Sequence, residues 1–193
     1  LQLTHREPAI VIISHFHPDH WGGLQVFAEN LILATHATRQ AMLPIAVEMS
    51  EDREDPSQAE NQLQETEARL DGESDPAKRK FLQASVARQR HSLQALPTLE
   101  PTLPNHTFEG NILFHGTQRS AELISTGKGH TDSDCILRLP GERVAFIGDI
   151  GFFQMQPYMA SGSPLEWIAL LEKMTVWDIE TFVPGHGPLG AKA

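Results

Sequence analysis

The chain has 193 residues, 40% of them apolar, so it is long enough to bury one substantial hydrophobic core. Its formal net charge of −10 argues against nucleic-acid binding, because backbone phosphates require clustered lysine and arginine side chains. No apolar stretch approaches the roughly 20 residues that span a bilayer, and the first residues lack the order of a signal peptide. The single cysteine, Cys135, has no internal disulfide partner. These features predict a cytoplasmic protein with neither nucleic-acid nor membrane partners.

The N-terminal part of the chain predicts a β-α-β unit. Residues 9–14 form a short apolar run rich in β-branched side chains, which is typical of a strand buried on both faces. A helix is predicted over Trp21–Glu29 and a second buried strand over Leu31–Thr35. This order of elements indicates a layered α/β protein.

The stretch from about 48 to 96 has a different composition, because charged residues and glutamine dominate it. Asp55 and Asp75 each precede a proline, a pattern typical of helix starts, so we predict a helical hairpin inserted into the fold. Apolar or small residues recur along one stripe of each helix: Ala59, Leu63, Thr66 and Leu70, then Leu82, Val86, Leu93 and Leu96. Three prolines between 97 and 104 predict a stiff connection without a helix.

The C-terminal half returns to short strands separated by turns. The predicted strands are Asn111–His115, Ala121–Thr126, Cys135–Leu139, Arg143–Gly148 and Thr181–Val183. Ser163–Glu166 has the form of a capping box, and the helix that it opens has an apolar face made by Trp167, Leu171 and Met174.

The strongest chemical signal is the segment His-Phe-His-Pro-Asp-His at 15–20, directly after the first predicted strand. Residues two apart in extended backbone point the same way, so His15 and His17 can hold one ion. Asp19 and His20 follow the bend at Pro18 and can reach a second ion. A lone histidine at a strand end is more often structural, but four such ligands in six residues predict a two-metal site. Imidazole and carboxylate without thiolate suit zinc, and also manganese or iron.

Three later positions supply the same ligand types. His130 stands in Gly-His-Thr, Asp149 follows a glycine, and His186 stands in Pro-Gly-His-Gly. Each follows a strand-like run and is flanked by glycine, as expected where the backbone approaches a site closely.

Taken in order, these motifs resemble the metallo-β-lactamase superfamily: H-x-H-x-D-H at 15–20, G-H-T at 129–131, G-D at 148–149 and P-G-H-G at 184–187. The resemblance implies the αβ/βα sandwich of that family, an α/β fold (α+β in some schemes), as a single domain over 1–193 with the helical insertion at about 48–96. It further implies the ligand assignment: His15, His17 and His130 on one metal, Asp19, His20 and His186 on the other, and Asp149 bridging them.

The resemblance also shows two departures. Family members normally have several strands before the first motif, so the N-terminal half-sheet is expected to be truncated or borrowed, and a homodimer is expected to cover the exposed edge. The second departure is Asp149, which the β-lactamases with a cysteine ligand lack, so the chain looks more like the glyoxalase II, cyclase-like and SoxH-like branches. Phe152 stands where related lactonases have tyrosine, which disfavours a quorum-quenching lactonase. Cys135 is predicted to be a small buried hydrophobe.

Two adjacent cations lower the pKa of a shared water from about 15.7 toward 7, which generates hydroxide at neutral pH. The leading hypothesis is attack on an ester, thioester, lactone or amide carbonyl of a small-molecule substrate, with Asp19 or a metal-bound water handling the leaving-group proton and Asp149 as the second catalytic carboxylate. Phosphodiester cleavage, di-iron redox chemistry and a non-catalytic scaffold remain alternatives. The hairpin is predicted to cover the metal cleft as a lid or to contribute to a dimer contact.

The remaining candidates have weaker signals. His36 and His115 are predicted to be structural, with hydrogen bonding to the metal ligands as the alternative. Tyr158 is predicted to pack, with substrate contact as the alternative, and Thr131 and Asp132 are candidates for orienting His130. Three further histidines, His5, His91 and His106, are predicted to lie on the surface.

Overall fold

The computed structural model describes residues 7–191, and within this range the chain forms two β-sheets and four α-helices. The helices are α1 (His36–Glu54), α2 (Ser57–Gly72), α3 (Pro76–Ala95) and α4 (Pro164–Thr175). The strands are β1 (Ile10–Ile12), β2 (Leu31–Thr35), β3 (His106–Phe108), β4 (Asn111–His115), β5 (Ser120–Gly127), β6 (Asp134–Leu139), β7 (Val144–Phe152), β8 (Thr181–His186) and β9 (Gly190–Ala191). This content confirms the predicted mixed α/β fold.

The smaller sheet contains β1, β2 and β3 in that order, and both neighbouring pairs are parallel. The central strand β2 buries Ile32, Leu33 and Ala34, as expected for a continuous apolar run inside a parallel sheet. The sequence predicts β1 and β2 but not β3, because β3 has only three residues and just one of them, Phe108, is buried. The predicted burial of β1 on both faces is wrong, because Ile10 is 37% exposed and the other two residues of the strand are only partly buried.

The larger sheet contains six strands in the order β4 to β9. Neighbouring strands are antiparallel except β7 and β8, which are parallel and are connected through α4. A parallel pair needs such a crossover because its strands run in the same direction. Strands β4 to β8 correspond to the five strands predicted in this half of the chain, and β9 is too short to predict.

Buried apolar side chains cover both faces of the larger sheet. One cluster joins it to the smaller sheet and contains Leu33, Phe108, Leu123 and Cys135. The other lies between the larger sheet and α4 and includes Ala145, Ile147, Trp167, Leu170 and Met174. A backbone hydrogen bond of 2.9 Å from the Cys135 N–H to the Ser14 carbonyl also links β6 to the segment after β1. These clusters therefore pack the smaller sheet and α4 against the larger sheet.

Residues Pro44–Thr102 form a compact unit of their own, and the described residues on either side of them form the other unit. Within Pro44–Thr102, α2 and α3 pack against each other as the predicted hairpin. The Asp75 carboxylate caps α3 by accepting two backbone N–H groups at 2.9 Å, as its position before Pro76 predicts. Leu82 and Val86 of the predicted stripe are buried. That the two units behave as one domain stays a prediction.

The prediction of a helix over Trp21–Glu29 is wrong. This segment contains a single 3-10 turn at Leu24–Phe27, with no α-helix. Two glycines follow Trp21, and the buried Trp21 indole donates a hydrogen bond to the Phe16 carbonyl at 2.7 Å. This contact ties the start of the segment back to the first motif, so tight turns replace a helix.

Two helices differ in detail from the sequence pattern. The sequence does not predict the first half of α1, because Pro44 lies inside it and proline normally ends a helix. Ser163 is the N-cap residue of α4, as predicted, but its side chain forms no capping hydrogen bond. On α4, Leu170 is buried and Leu171 is 42% exposed, which corrects the predicted apolar face by one position.

Within residues 7–191, none of the helices combines the length and the apolar character needed to cross a lipid bilayer.

Candidate metal centre

The first motif lies just beyond β1, at the carboxyl end of the parallel sheet. His15 follows the strand by three residues, and a 3-10 turn over Pro18–His20 bends the chain. Pro18 starts this turn because its fixed φ suits a first helical position and it has no N–H to leave unpaired. The turn separates His15 and His17 from the later pair Asp19 and His20, as the spacing of the motif predicts.

The other three candidate ligands come from the larger sheet. His130 lies in the turn between β5 and β6, Asp149 lies within β7, and His186 is the last residue of β8. The structure brings all seven sequence-predicted residues together in two groups. The buried group is His15, His17, His130 and Asp149, and the exposed group is Asp19, His20 and His186. Within each group the candidate ligand atoms all lie within 4.8 Å of one another.

In the buried group three imidazole nitrogens face a common point. His17 Nδ1 lies 3.1 Å from His15 Nε2 and 2.9 Å from His130 Nε2. Nitrogen atoms on one tetrahedral zinc ion lie about 3.3 Å apart, because each Zn–N bond is about 2.0–2.1 Å long. The spacing of the three imidazoles is therefore close to what one ion requires.

The exposed group has the same kind of donor atoms in a more open setting. His186 Nε2 lies 2.9 Å from Asp19 Oδ2, and His20 Nε2 lies 3.4 Å from the same oxygen. The side chain of Asp19 is 57% exposed and that of His186 is 38% exposed. Solvent therefore reaches the centre from the side of this group.

The Asp149 carboxylate connects the two groups. Its Oδ2 atom lies 3.3 Å from His130 Nε2 in the buried group and 3.6 Å from His186 Nε2 in the exposed group. Its Oδ1 atom lies 3.4 Å from His20 Nε2. A carboxylate with contacts on both sides is the arrangement expected of a ligand shared by two ions.

Buried polar atoms without a hydrogen bond provide a second test of whether cations fit this centre. His20 Nε2 and Asp149 Oδ1 lie 3.4 Å apart as an ion pair, but neither atom makes a hydrogen bond among the described residues. A buried polar group without a hydrogen bond costs about 1–3 kcal/mol, so such groups normally have hydrogen-bond partners. Nitrogen and carboxylate donors both bind transition-metal dications, so the residues fit a pair of ions.

Electrostatics keep the buried imidazoles in the form that binds metals. Burial, reinforced by the neighbouring histidines, lowers the pKa of His15 to about 2. Burial likewise lowers the pKa of His130 to about 4 against the opposing effect of Asp149. Both rings are therefore neutral at pH 7, and the neutral imidazole is the metal ligand.

His20 and Asp149 shift in the opposite sense because they face each other. Burial lowers the pKa of His20, but the adjacent Asp149 carboxylate outweighs it, so the pKa of His20 is raised. Burial raises the pKa of Asp149, but His20 outweighs that effect, so the pKa of this carboxyl is lowered. Asp149 is therefore ionised at neutral pH, and a proton competes with a cation at His20.

Gly185 allows the shared carboxylate to approach the last motif. A Cβ atom at Gly185 would lie 2.1 Å from Asp149 Oδ1 and 2.7 Å from His20 Cε1, which is too close for any side chain. The glycine of the Pro-Gly-His-Gly motif is therefore required by the geometry of the centre, as its position beside His186 predicts.

Sequence reasoning missed three residues that support the ligands, Ser14, Ser161 and Asp134, although it named Thr131 as a candidate for orienting His130. The Ser14 hydroxyl lies 3.0 Å from His15 Nδ1, and the Ser161 hydroxyl lies 3.1 Å from His17 Nε2. The buried Asp134 carboxylate accepts the Thr131 N–H at 2.9 Å and the Thr131 hydroxyl at 2.6 Å, which fixes the turn that carries His130. An aspartate three residues after a threonine was the available signal for this turn, whereas no local pattern points to Ser161.

The other candidates divide between the neighbourhood of the centre and the surface. Thr131 is buried beside His130, whereas Asp132 is exposed and forms an ion pair with Lys128 at 4.0 Å. Tyr158 is 58% exposed rather than packed, and its ring centroid lies 5.6 Å from that of His17. His36, His91, His106 and His115 are exposed, and His5 lies outside the described residues.

In the sequence, Cys135 and Phe152 serve to compare branches of the family that the chain resembles, and the structure gives the surroundings of both side chains. Cys135 is buried in the core as predicted, and burial raises the pKa of its thiol to about 12, so it is not a thiolate. The Phe152 ring stacks on His186 with 5.9 Å between centroids and an interplanar angle of 8°. The side chain at position 152 therefore packs on a candidate ligand and offers it no hydroxyl.

Comparisons with known proteins agree with this geometry. The sequence profile of the Metallo-beta-lactamase superfamily matches residues 1–186. Among solved structures, a metallo-beta-lactamase from Pontibacter korlensis superimposes with a TM-score of 0.59 and 17% identity, covering 99% of this chain and 67% of that one. A crystal structure of VMB-1 at pH 5.5 gives a TM-score of 0.58 and 17% identity, covering 98% of this chain and 65% of that one.

The chain spans about two thirds of the length of these two proteins, and at this level of identity the likeness shows the fold. A search of curated proteins finds no match to this chain. The matched profile extends from residue 1 to the last histidine of the metal centre. The chain belongs to the metallo-β-lactamase superfamily.

Proposed function

We propose that this chain is a dinuclear metal-dependent hydrolase that cleaves an ester, thioester, lactone or amide of a small molecule. The observation that carries the proposal is the Asp149 carboxylate, whose oxygens lie 3.3 Å from His130 and 3.4 Å from His20. These two imidazoles belong to different ligand groups, so one buried carboxylate is placed to serve both ions. Membership of a superfamily that consists mostly of hydrolases supports the same proposal.

Each ligand group has a separate role in the proposal. His15, His17 and His130 hold the first ion, and their burial keeps them neutral. Asp19, His20 and His186 hold the second ion on the solvent side. Zinc is the proposed ion because the donors are imidazole and carboxylate without thiolate, and manganese or iron are the alternatives.

Two such ions supply a water of lowered pKa and a polarised substrate carbonyl. The residues of the chain provide position and proton transfer around that chemistry. Asp19 is the exposed carboxylate beside His186, so it is placed to deliver a proton to the leaving group. Asp149 is buried and ionised, and it holds His20 and His130 at a fixed separation.

The substrate and partners follow from charge and surface as further parts of the proposal. A net charge of −10 repels extended polyanions, so a small molecule is the preferred substrate and phosphodiester cleavage is the second choice. We also propose that two chains associate, because among residues 7–191 β1 pairs with another strand on one side only. Sedimentation equilibrium tests the association, and a single species with the monomer mass would contradict it.

The hydrolase proposal is tested by elemental analysis followed by a substrate screen on the same sample. We expect about two equivalents of zinc per chain and turnover of at least one thioester, lactone, ester or β-lactam substrate. The Asp149→Asn variant, which keeps the side-chain shape but removes its charge, is expected to lose both. Bound iron with oxygen-dependent turnover would replace the proposal with redox chemistry. A metal-loaded protein that hydrolyses no carbonyl substrate would also overturn it.

A further inference from the structure

The segment between β7 and α4 returns to the metal centre at residues 161–163. The Ser163 N–H donates a hydrogen bond of 3.0 Å to the Gly129 carbonyl, beside the candidate ligand His130. A Cβ atom at Gly162 would lie 2.9 Å from the same carbonyl oxygen, so only glycine permits this approach. The end of the segment is therefore fixed against the turn that carries His130.

This docking brings the Ser161 hydroxyl to the outer nitrogen of His17. The distance from Ser161 Oγ to His17 Nε2 is 3.1 Å, although the two residues are 144 positions apart in the sequence. The other ring nitrogen, Nδ1, faces His15 and His130 inside the buried group. A neutral imidazole carries its proton on one nitrogen and presents a lone pair on the other. His17 therefore presents Nδ1 to an ion only when Nε2 carries the proton.

The two histidines of the first motif are oriented in opposite ways. His15 presents Nε2 to the buried group, and its Nδ1 lies 3.0 Å from the hydroxyl of Ser14, its neighbour in the sequence. His15 is also buried on all sides, whereas His17 is only partly buried. Local sequence and packing thus fix His15, but His17 depends on a partner from a distant segment.

We propose that Ser161 is a positioning residue for the metal centre. Its hydroxyl accepts a hydrogen bond from the Nε2–H of His17, which fixes the ring orientation and the tautomer that leaves Nδ1 free. This inference rests on the proposed function, because it assumes that the buried group holds an ion. Removing a partner of this kind typically weakens metal affinity about 10-fold to 100-fold.

The test compares three variants of the full chain. Ser161→Ala removes the hydroxyl, and Ser161→Thr keeps it. Ser163→Ala is the matched control, because Ser163 lies on the same segment and its side chain forms no capping hydrogen bond. Zinc affinity is measured by competition with a chromophoric chelator, and long-range ¹H–¹⁵N correlation spectra report the tautomer of His17.

We expect Ser161→Ala to weaken the tighter zinc site about 10-fold to 100-fold. The spectra should then show both tautomers of His17 in the metal-free variant, whereas the wild type shows only the Nε2–H form. Ser161→Thr is expected to restore most of the affinity, and Ser163→Ala is expected to match the wild type in both measurements. A purely structural role would alter stability without changing the tautomer.

The outcomes separate this inference from the proposed function. If the wild type binds no zinc, manganese or iron, the proposed function fails and the inference fails with it. If the wild type binds zinc while Ser161→Ala and Ser163→Ala have equal affinities and equal His17 spectra, only the role of Ser161 is refuted. If Ser161→Ala does not fold, a Ser161→Thr variant with weakened affinity and mixed tautomers would also contradict the inference.

Discussion

The two ligand groups of the metal centre differ in burial although their side chains are chemically alike. His15, His130 and Asp149 of the buried group are between 0% and 4% exposed, whereas Asp19 and His186 of the exposed group are 57% and 38% exposed. His17 and His20 lie between these extremes, because both are partly buried. Burial removes competing protons and water from imidazole, and exposure leaves coordination positions open to substrate. Under the proposed function, this difference would let one group hold an ion tightly while the other presents the reactive side.

The two ligand groups also differ in how neighbouring side chains support their ligands. In the buried group, hydroxyl groups contact the outer nitrogens of His15 and His17, and Asp134 fixes the turn of His130. In the exposed group, His186 is supported by stacking on the Phe152 ring, which permits some movement within the plane of contact. Hydrogen bonds from neighbouring side chains are therefore concentrated in the more buried group.

Removing the Asp149 carboxylate should release both ions, so that the two ligand groups no longer differ in metal binding. Asp149→Ala deletes contacts to His15, His20, His130 and His186, so we expect loss of both ions and at least about a 1000-fold decrease in kcat/KM. Elemental analysis and steady-state kinetics measure the two effects. Asp178→Ala is the control, because that carboxylate is 82% exposed and pairs with Arg143. Retention of two ions in Asp149→Ala would show that the groups are independent of the carboxylate.

A substitution at Gly185 is a smaller change, and it should displace the Asp149 carboxylate that connects the two ligand groups. Gly185→Ala places a methyl group 2.1 Å from Asp149 Oδ1, so the carboxylate or the last motif must shift. A displacement of about 1 Å in a catalytic site costs about 100-fold in rate, so we expect that loss with one ion retained.

Gly23→Ala is the matched control for Gly185→Ala, because a Cβ atom at Gly23 would meet nothing within 4 Å. Its kinetics and metal content should equal those of the wild type. Full activity of Gly185→Ala with two bound ions would mean that the close approach of Gly185 to Asp149 is not required.

Because the two ligand groups differ in burial, a chelator should remove their ions at different rates. We expect a chromophoric chelator to remove the ion of the exposed group at least about ten times faster than the other, because one ion lies open to solvent. A free ion concentration of about 1000 times Kd stabilises the folded state by about 4 kcal/mol per site, which is about 8 kcal/mol for two ions. Complete removal should therefore lower Tm by roughly 20 °C. A single release phase for both ions would contradict the proposed difference between the two groups.

The smallest effect on metal content and kcat/KM is expected for a substitution of Cys135. Cys135 is buried in the core between the sheets, and its Sγ donates to the Ile13 carbonyl at 3.3 Å. Cys135→Ala should leave metal content and kcat/KM unchanged and cost about 1 kcal/mol of unfolding free energy, measured by urea denaturation. Loss of an ion from this variant would instead make the thiol a metal ligand.

Most of the candidate centre could be predicted from the sequence because its ligands occupy short motifs beside glycine or proline. Asp149 is the exception to the predicted placement after a strand, because β7 continues through it to Phe152. The turn at Pro18 and the glycine at 185 are local features with local causes, so the pattern alone indicates them. Ser161 could not be predicted, because its partner lies 144 residues away and only the tertiary fold brings them together. The roles of the seven residues in binding and catalysis stay predictions.

The prediction of helices and strands has the same limit, because local patterns can be recognised in the sequence and tertiary contacts cannot. Apolar runs predict β1 and β2, short strand-like segments between turns predict β4 to β8, and the aspartate-proline pair at 75–76 predicts the start of α3. The first half of α1 escapes prediction because Pro44 suggests a break. The helix predicted over Trp21–Glu29 fails because the Trp21 indole binds the Phe16 carbonyl, a contact that depends on the burial of Trp21.

The origin of the ligands from both sheets has a consequence for how the protein folds. Four candidate ligands lie within residues 15–20, whereas His130, Asp149 and His186 follow at least 110 residues later in the chain. During synthesis the first motif therefore precedes its partners by a long stretch of chain. Because the proposed ions would join ligands from both sheets, metal supply during synthesis should influence the yield of folded protein.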